Sequence, residues 1–193
     1  MAEHMLETDS LNDDGDGAAH VARRAIVVPF TIPGERVRVR LERARTVSNR
    51  QDGATLIEVI RASPHRVVPR CPHFDRVEAG PPCGGCAWQD IEYREQLRLK
   101  TSRVARLVRA ALPSAPATLP MLPSTPQESP WGFRNKVHFV FGPRRGRDSV
   151  TMGHYARDSR DVVPVRECPV HAAAGNRAAF ALRDAYVRAG ITA

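Results

Sequence analysis

CPHFDRVEAGPPCGGC, residues 71–86, carries three of the four cysteines in this chain of 193 residues. The fourth cysteine lies far along the chain, in the sequence RECPVH. Three clustered cysteines with one distant partner are typical of a protein that closes a long loop around a metal centre. Proline follows the first and the last cysteine, as it often does at cubane clusters. The candidate metal ligands are Cys71, Cys83, Cys86 and Cys168.

The cysteine spacing leaves three interpretations open: a [4Fe–4S] cluster, a zinc site, or thiols without a metal. A structural zinc site usually shows two C-x₂-C pairs, and here only Cys83 and Cys86 form one. His73 could instead complete a Cys₃His zinc site. The acidic N-terminus and the short apolar run at residues 25–30 predict neither a signal peptide nor a membrane span. We therefore expect a cytoplasmic protein with reduced thiols, which disfavours disulfides.

The charge of the chain indicates a polyanionic partner. The formal net charge is +8, and 27 of the 29 basic residues are arginine. Arginine suits phosphate because its guanidinium donates in pairs, and it also stacks on bases. The other interpretation is an arginine-rich surface that is simply solvated.

The N-terminal part of the chain is predicted to contain a small β-barrel. Residues 1–20 are polar and read as a disordered acidic tail, whereas residues 21–65 contain strand-like runs with PG and DG turn signals. In ERVRVRLERAR, alternation separates a core face from a row of arginines. The core face comprises Val37, Val39 and Leu41, and the basic row comprises Arg36, Arg38 and Arg40. The basic row predicts RNA binding, although an ordinary half-buried strand has the same pattern.

Residues 66–193 are predicted to form a second, mixed α/β domain. A helix from about Ile91 to Leu112 follows the cysteine loop, and a proline-rich linker occupies residues 113–130. A hairpin then spans residues 136–157, the strand DVVPVREC delivers the last cysteine, and an alanine-rich helix ends near Ala189.

Several motifs in this order resemble the RNA (uracil-5-)-methyltransferases, in particular the enzymes that modify 23S ribosomal RNA. They are the cysteine stretch continued as AWQDIEYREQLRLK, then WGFRNKVHF at residues 131–139, then GHYARDSRDVVPVRECPVH at residues 153–171. The resemblance implies an α+β fold, with an OB-like TRAM barrel followed by a central domain whose four cysteines hold one [4Fe–4S] cluster. It also implies that Phe133, Arg134, Asn135 and Lys136 lie near substrate RNA.

The chain departs from this family in two ways. Eleven residues separate Cys71 from Cys83, more than is usual in the family, so the local loop geometry should differ. No further cysteine serves as the nucleophile, and no glycine-rich S-adenosylmethionine loop follows a strand. We therefore expect the RNA-binding and cluster-binding portion of a methyltransferase, inactive alone, whose S-adenosylmethionine site lies in a Rossmann-like domain outside this sequence. The alternative is a stand-alone metal-binding RNA adaptor without enzymatic activity.

Overall fold

The chain divides into two compact units. In the computed structural model the barrel unit comprises Met1–Val68 with Ala87–Glu92, and the cysteine unit comprises Pro69–Cys86 with Tyr93–Ala193. The residues described by the structure are 3–21, 24–42, 52–75, 80–116, 120–123, 129–143 and 150–191. The predicted boundary between residues 65 and 66 therefore needs two changes, because residues 66–68 and residues 87–92 both group with the barrel unit.

The barrel unit is built on one curled six-stranded sheet, which agrees with the predicted TRAM-like barrel. Its strands are β1 (Glu3–Glu7), β2 (Ser10–Leu11), β3 (Gly17–Val21), β4 (Arg24–Val28), β5 (Arg36–Leu41) and β6 (Asp52–Arg61). The order across the sheet is β1-β5-β6-β4-β3-β2, and only the short pairing of β4 with β6 is parallel.

The prediction of a disordered tail at residues 1–20 is wrong, because three strands of the barrel unit lie there. Leu6 from β1 and Ala19 from β3 are buried in the same core as Val37 and Val39. The acids of β1 lie on the other face, where Glu3 is an ion-pair partner of strand arginines. Within this acidic segment, Glu3 is therefore a counter-ion of the neighbouring strand β5.

The predicted alternation in β5 is confirmed. Val37 and Val39 are fully buried and Leu41 packs partly buried against the same core, whereas the intervening arginines face outward. The predicted turn at Asp52-Gly53 is wrong, since both residues lie in β6 and pair with β4. The pairing of Asp52 and Gly53 with β4 therefore outweighs the local preference of this dipeptide for a turn.

The cysteine unit contains two helices and one small antiparallel sheet. Its elements are α1 (Tyr93–Ala111), β7 (Val140–Pro143), β8 (Val150–Tyr155), β9 (Val162–Pro164) and α2 (Ala173–Arg188), and the sheet order is β7-β8-β9. These elements match the predicted helix, hairpin, short strand and final helix to within a few residues. The described parts of the proline-rich linker contain neither helix nor strand. None of the helices in the described ranges is long and apolar enough to cross a membrane.

Gly153 is expected to be the least replaceable glycine of the small sheet. It lies in the central strand, opposite Val140 on one side and Pro164 on the other. A β-carbon there would collide with the backbone carbonyl of Val163, whose carbon atom would lie 2.7 Å away. We expect Gly153→Ala to lower the free energy of unfolding by about 1–3 kcal/mol, because backbone cannot move aside as a flexible side chain can.

Thermal and urea unfolding of purified protein measure this change. Gly53→Ala is the matched control, since Gly53 is also a strand residue, and among the described residues its β-carbon would meet only the Glu42 carboxylate, at 3.7 Å. Equal stability of the two variants would contradict the expected role of Gly153.

Candidate metal centre and nucleic-acid interface

Backbone interactions with two other segments, at His73 and at Ala156, hold Cys83 in place. Its N–H donates to the carbonyl oxygen of His73 at 2.8 Å, and it forms an isolated β-bridge with Ala156. Its side chain is buried with Ala156 and Val163 in a small core cluster. The thiol is therefore held by the sheet, although its chain neighbours are loop residues.

The two glycines of CGGC are explained by close contacts. The Gly84 N–H donates to the Tyr155 carbonyl oxygen at 2.9 Å, and a β-carbon on Gly84 would lie 3.1 Å from that oxygen and from the Ala156 oxygen. The Gly85 N–H donates to the Cys83 sulfur at 3.4 Å. The first glycine allows the loop to approach β8 closely, and the second brings a donor to the sulfur.

Cys168 is positioned by a residue that the sequence did not single out. The Asn176 amide, on the first turns of α2, accepts from the Cys168 N–H at 3.2 Å and donates to its carbonyl oxygen at 2.9 Å. The His171 N–H donates to the same carbonyl oxygen at 3.1 Å. Sequence spacing alone carried no sign of Asn176, because an asparagine on a polar helix face has many ordinary roles.

The structure brings the four cysteines into one electrostatic neighbourhood. All four are reduced thiols, with Cys71 and Cys83 buried and the other two half-buried. Burial, followed by the charges of Cys86, Cys71 and Cys168, raises the pKa of Cys83 to about 11, although the Gly85 N–H acts in the opposite direction. The Cys83 thiol therefore senses the charges of the three other predicted ligands, including that of Cys168 from the remote segment.

A pair of histidines lies beside Cys168. One ring nitrogen of His154, one of His171 and the Cys168 sulfur all lie within 4.8 Å of one another. Burial, then the charges of His154, Arg134 and His138, lowers the pKa of His171 to about 4. Burial and the Arg134 charge also lower the pKa of His154. These environments favour the neutral form of both imidazoles, a property that no motif predicted.

The predicted RNA-binding segment lies directly against the Cys168 segment. The Gly132 N–H donates to the Pro169 carbonyl oxygen at 2.9 Å, and the Arg134 N–H donates to the Val170 carbonyl oxygen at 3.0 Å. The Ala172 N–H donates in turn to the Arg134 carbonyl oxygen at 2.9 Å. The four predicted side chains, Phe133, Arg134, Asn135 and Lys136, are all exposed. Among the described residues, neither basic side chain of this set forms a salt bridge.

The arginine row of β5 has a different environment. Arg38 contacts Glu58 at 2.6 Å and Glu3 at 3.7 Å, and Arg40 contacts Glu3 at 3.8 Å. Arg36 is exposed at the start of the strand. Phosphate would have to displace carboxylates at two of the three predicted positions. Such surface pairs are worth only about 0–1 kcal/mol each, so they reduce the attraction for phosphate without abolishing it.

The sequence comparisons agree with the fold. Residues 6–65 match the family model described as the TRAM domain of tRNA (uracil(54)-C(5))-methyltransferase. An uncharacterised RNA methyltransferase of Thermosynechococcus vestitus is 34% identical over 181 residues, which cover 93% of this chain and 37% of that protein. An uncharacterised RNA methyltransferase of Gloeobacter violaceus is 36% identical over 161 residues, covering 81% and 32%.

A solved structure has the same fold. The tRNA (uracil-54, C5)-methyltransferase of Pyrococcus abyssi, in complex with S-adenosyl-L-homocysteine, superposes with a TM-score of 0.66 at 24% identity. The match covers 97% of this chain and 38% of that enzyme. The chain is therefore a TRAM-containing relative of RNA methyltransferases. This confirms the resemblance to RNA methyltransferases that the sequence motifs predicted. The chain spans about a third of the length of these relatives.

Proposed function

We propose that this chain is the RNA-binding and [4Fe–4S]-binding portion of an S-adenosylmethionine-dependent RNA uracil-C5 methyltransferase. The observation that carries the proposal is the joint position of two predicted sites. An exposed basic segment, residues 133–136, is hydrogen-bonded through its backbone to the segment that follows Cys168. One structural feature would therefore both hold a metal centre and present a surface to RNA.

The four cysteines fit the proposed cluster in number and in environment. Cys71, Cys83, Cys86 and Cys168 would be its ligands, and the Gly85 N–H already donates to one of the sulfurs. Iron stabilises the thiolate form, so a cluster would offset the burial and the neighbouring cysteine charges that raise the pKa of the Cys83 thiol. When bound, it would supply a structural cross-link between two segments that are remote in sequence. The alternative is zinc bound by the same thiols. Metal analysis separates the two, because the cluster contains iron and sulfide whereas the alternative contains zinc.

The exposed segment at residues 133–136 is the stronger candidate for RNA contact. Arg134 and Lys136 have no salt-bridge partner among the described residues, so their charges are available to phosphate. Phe133 is 42% exposed, and an exposed ring beside basic side chains suits stacking on an unpaired base. The strand arginines, in contrast, already contact Glu3 and Glu58.

The substrate is proposed to be a uracil in structured RNA, with 23S ribosomal RNA as the first candidate. Ribosomal RNA is placed first because the cysteine and WGFRNK motifs resemble those of the enzymes that modify 23S ribosomal RNA. The matched TRAM model is named for a tRNA enzyme, and so is the solved structure, so transfer RNA is the second candidate. Parallel binding measurements with a 23S ribosomal RNA fragment and with unmodified transfer RNA separate the two.

Arg134→Ala together with Lys136→Ala is expected to weaken RNA binding and to flatten its salt dependence. Each lost phosphate contact should lower the slope of log K against log salt by about 0.7–0.9, so the double variant should lose roughly 1.5. Fluorescence anisotropy with labelled RNA at several salt concentrations measures both quantities.

Arg38→Ala together with Arg40→Ala is the matched control, because it removes two positive charges from a surface where they are already paired. We expect a clearly smaller loss of slope from this variant. If it lost as much slope as the Arg134 and Lys136 variant, the strand would be an equal RNA surface. If neither variant changed the slope, RNA binding by both predicted surfaces would be refuted.

A further inference from the structure

We propose that Cys168, His154 and His171 form a mononuclear site for a borderline divalent cation such as Zn²⁺. The site shares the Cys168 thiolate with the four-cysteine centre, so the two metal centres exclude each other. This inference goes beyond the proposed function, because it assigns a role as metal ligands to two histidines that the cluster does not use.

The ligand geometry is the first argument. The three ligand atoms lie within 4.8 Å of one another, and only a small contraction would bring them to the distances of a zinc site. Imidazole nitrogen and thiolate sulfur are the donors that zinc prefers. Three protein ligands leave a fourth tetrahedral position, which water or a further thiolate can occupy.

The buried ring nitrogens are the second and independent argument. His171 is only 4% exposed, and its Nδ1 has no hydrogen-bond partner among the described residues. The Nε2 of His154 is likewise buried without a partner. A buried polar atom left without a partner costs about 1–3 kcal/mol, and a metal bond would remove that cost.

An aromatic wall holds the two imidazoles in place. The ring of Phe139 stacks on His154 with centroids 4.8 Å apart and meets His171 edge-on at 5.1 Å. The two imidazole rings are 5.5 Å apart and nearly perpendicular. Rings held in this way lose little conformational freedom when they bind an ion, which favours affinity.

The surrounding charges determine how the two centres compete. Arg134 is the positive group that acts on both histidines, and it opposes a bound cation. The Cys168 thiolate provides one negative charge in compensation. Four thiolates give the cluster site more negative charge, so Arg134 disfavours the zinc site relative to the cluster. We therefore expect zinc to occupy the histidine site in protein that lacks the cluster.

Cobalt(II) binding to the metal-free chain, purified without oxygen, tests this proposal. We expect one Co²⁺ per chain, with a sulfur-to-metal charge-transfer band and visible d–d bands, displaced by one equivalent of Zn²⁺. The triple variant Cys71→Ser, Cys83→Ser, Cys86→Ser should keep the band, because it keeps Cys168 and both histidines. His154→Ala with His171→Ala should weaken Co²⁺ binding by at least roughly tenfold, since even outer-shell partners of metal ligands are worth about that factor.

His20→Ala with His65→Ala is the matched control, because both histidines lie in the barrel unit with about half of the side chain exposed. Circular dichroism of each variant checks that it is folded, and His154→Gln with His171→Gln repeats the test with polar replacements. Loss of Co²⁺ binding in the triple cysteine variant, together with unchanged binding in both histidine variants, would overturn the proposal. Absence of Co²⁺ binding to the parent chain would also overturn it.

The cluster is measured separately on the same proteins. Reconstitution with iron and sulfide should fail in the triple cysteine variant and succeed in the histidine variants. Addition of Zn²⁺ before iron should slow reconstitution of the parent but not of the histidine variants. Failure of the parent to take up iron would count against the proposed cluster. The histidine site would still be tested by the cobalt experiment alone.

Discussion

Cys86→Ser is expected to abolish binding of iron and acid-labile sulfide and to lower the melting temperature of the cysteine unit by about 10 °C or more. The cluster binds only the folded arrangement of ligands, so its binding free energy becomes part of the folding free energy. A loss of about 3 kcal/mol corresponds to a shift of roughly this size in a domain of 100–150 residues. Serine is close to cysteine in size, but it is a poor ligand for iron.

Chemical analysis of oxygen-free protein gives the iron and sulfide content, and calorimetry gives the melting temperature. The metal-free parent is the control, because Cys86 is only half-buried and its replacement should change little once the cluster is absent. We expect metal-free parent and variant to melt together, and the cluster-loaded parent to melt higher. A cluster-loaded parent that melted no higher than its metal-free form would refute a structural role for the metal.

Arg66→Met is expected to destabilise the barrel unit by about 3–5 kcal/mol, because it removes a cation that contacts two buried carboxylates. The Arg66 guanidinium donates two hydrogen bonds to Glu35, whose side chain is fully buried, and lies 3.5 Å from the carboxylate of Asp90, which is 3% exposed. It also donates to the Phe30 carbonyl oxygen at 2.8 Å. Methionine can fill the space of the arginine stem but offers no donor.

Fluorescence-detected urea unfolding in a Trp131→Phe background measures this loss, since the remaining tryptophan, Trp88, belongs to the barrel unit. Arg61→Ala is the matched control, because Arg61 and its partner Glu7 are both about two-thirds exposed, and such a pair is worth at most about 1 kcal/mol. Adding Glu35→Gln to Arg66→Met should recover part of the stability, because it removes one buried charge. If Arg66→Met cost no more than Arg61→Ala, the buried pairs would be unimportant for folding.

The buried Arg66 network also accounts for the domain boundary that the sequence missed. Asp90 lies in residues 87–92, directly after the cysteine loop, where the sequence predicted only the second domain. In the structure the Val67 N–H donates to the Asp90 carbonyl oxygen at 2.9 Å, and the Trp88 indole N–H donates to the Gly15 carbonyl oxygen at 2.8 Å. These hydrogen bonds join segments that are remote along the chain, and local sequence patterns do not predict such contacts.

The disordered tail was mispredicted for a related reason. Composition alone made residues 1–20 resemble a solvated acidic segment, since acids and glycines dominate DSLNDDGDG. Leu6 is the large residue of this segment that is buried in the hydrophobic core. It can stabilise the segment only by packing against residues of β3, β4, β5 and β6, most of which are remote in sequence. The pairing of Glu3 with Arg38 and Arg40 became visible only when β1 lay beside β5.

What the sequence by itself determined was the local periodicity and the identity of the chemical groups. The alternation in β5, the two helices, the hairpin and the resemblance carried by the cysteine and WGFRNK motifs all depend on neighbours within a few residues. Tertiary structure alone decided which remote groups share one environment: Cys168 with Asn176 and the two histidines, Glu35 with Arg66 and Asp90, and the strand arginines with their acids. The reason is that burial and electrostatic interaction depend on distance in space, and the chain brings these groups together only when both units are folded.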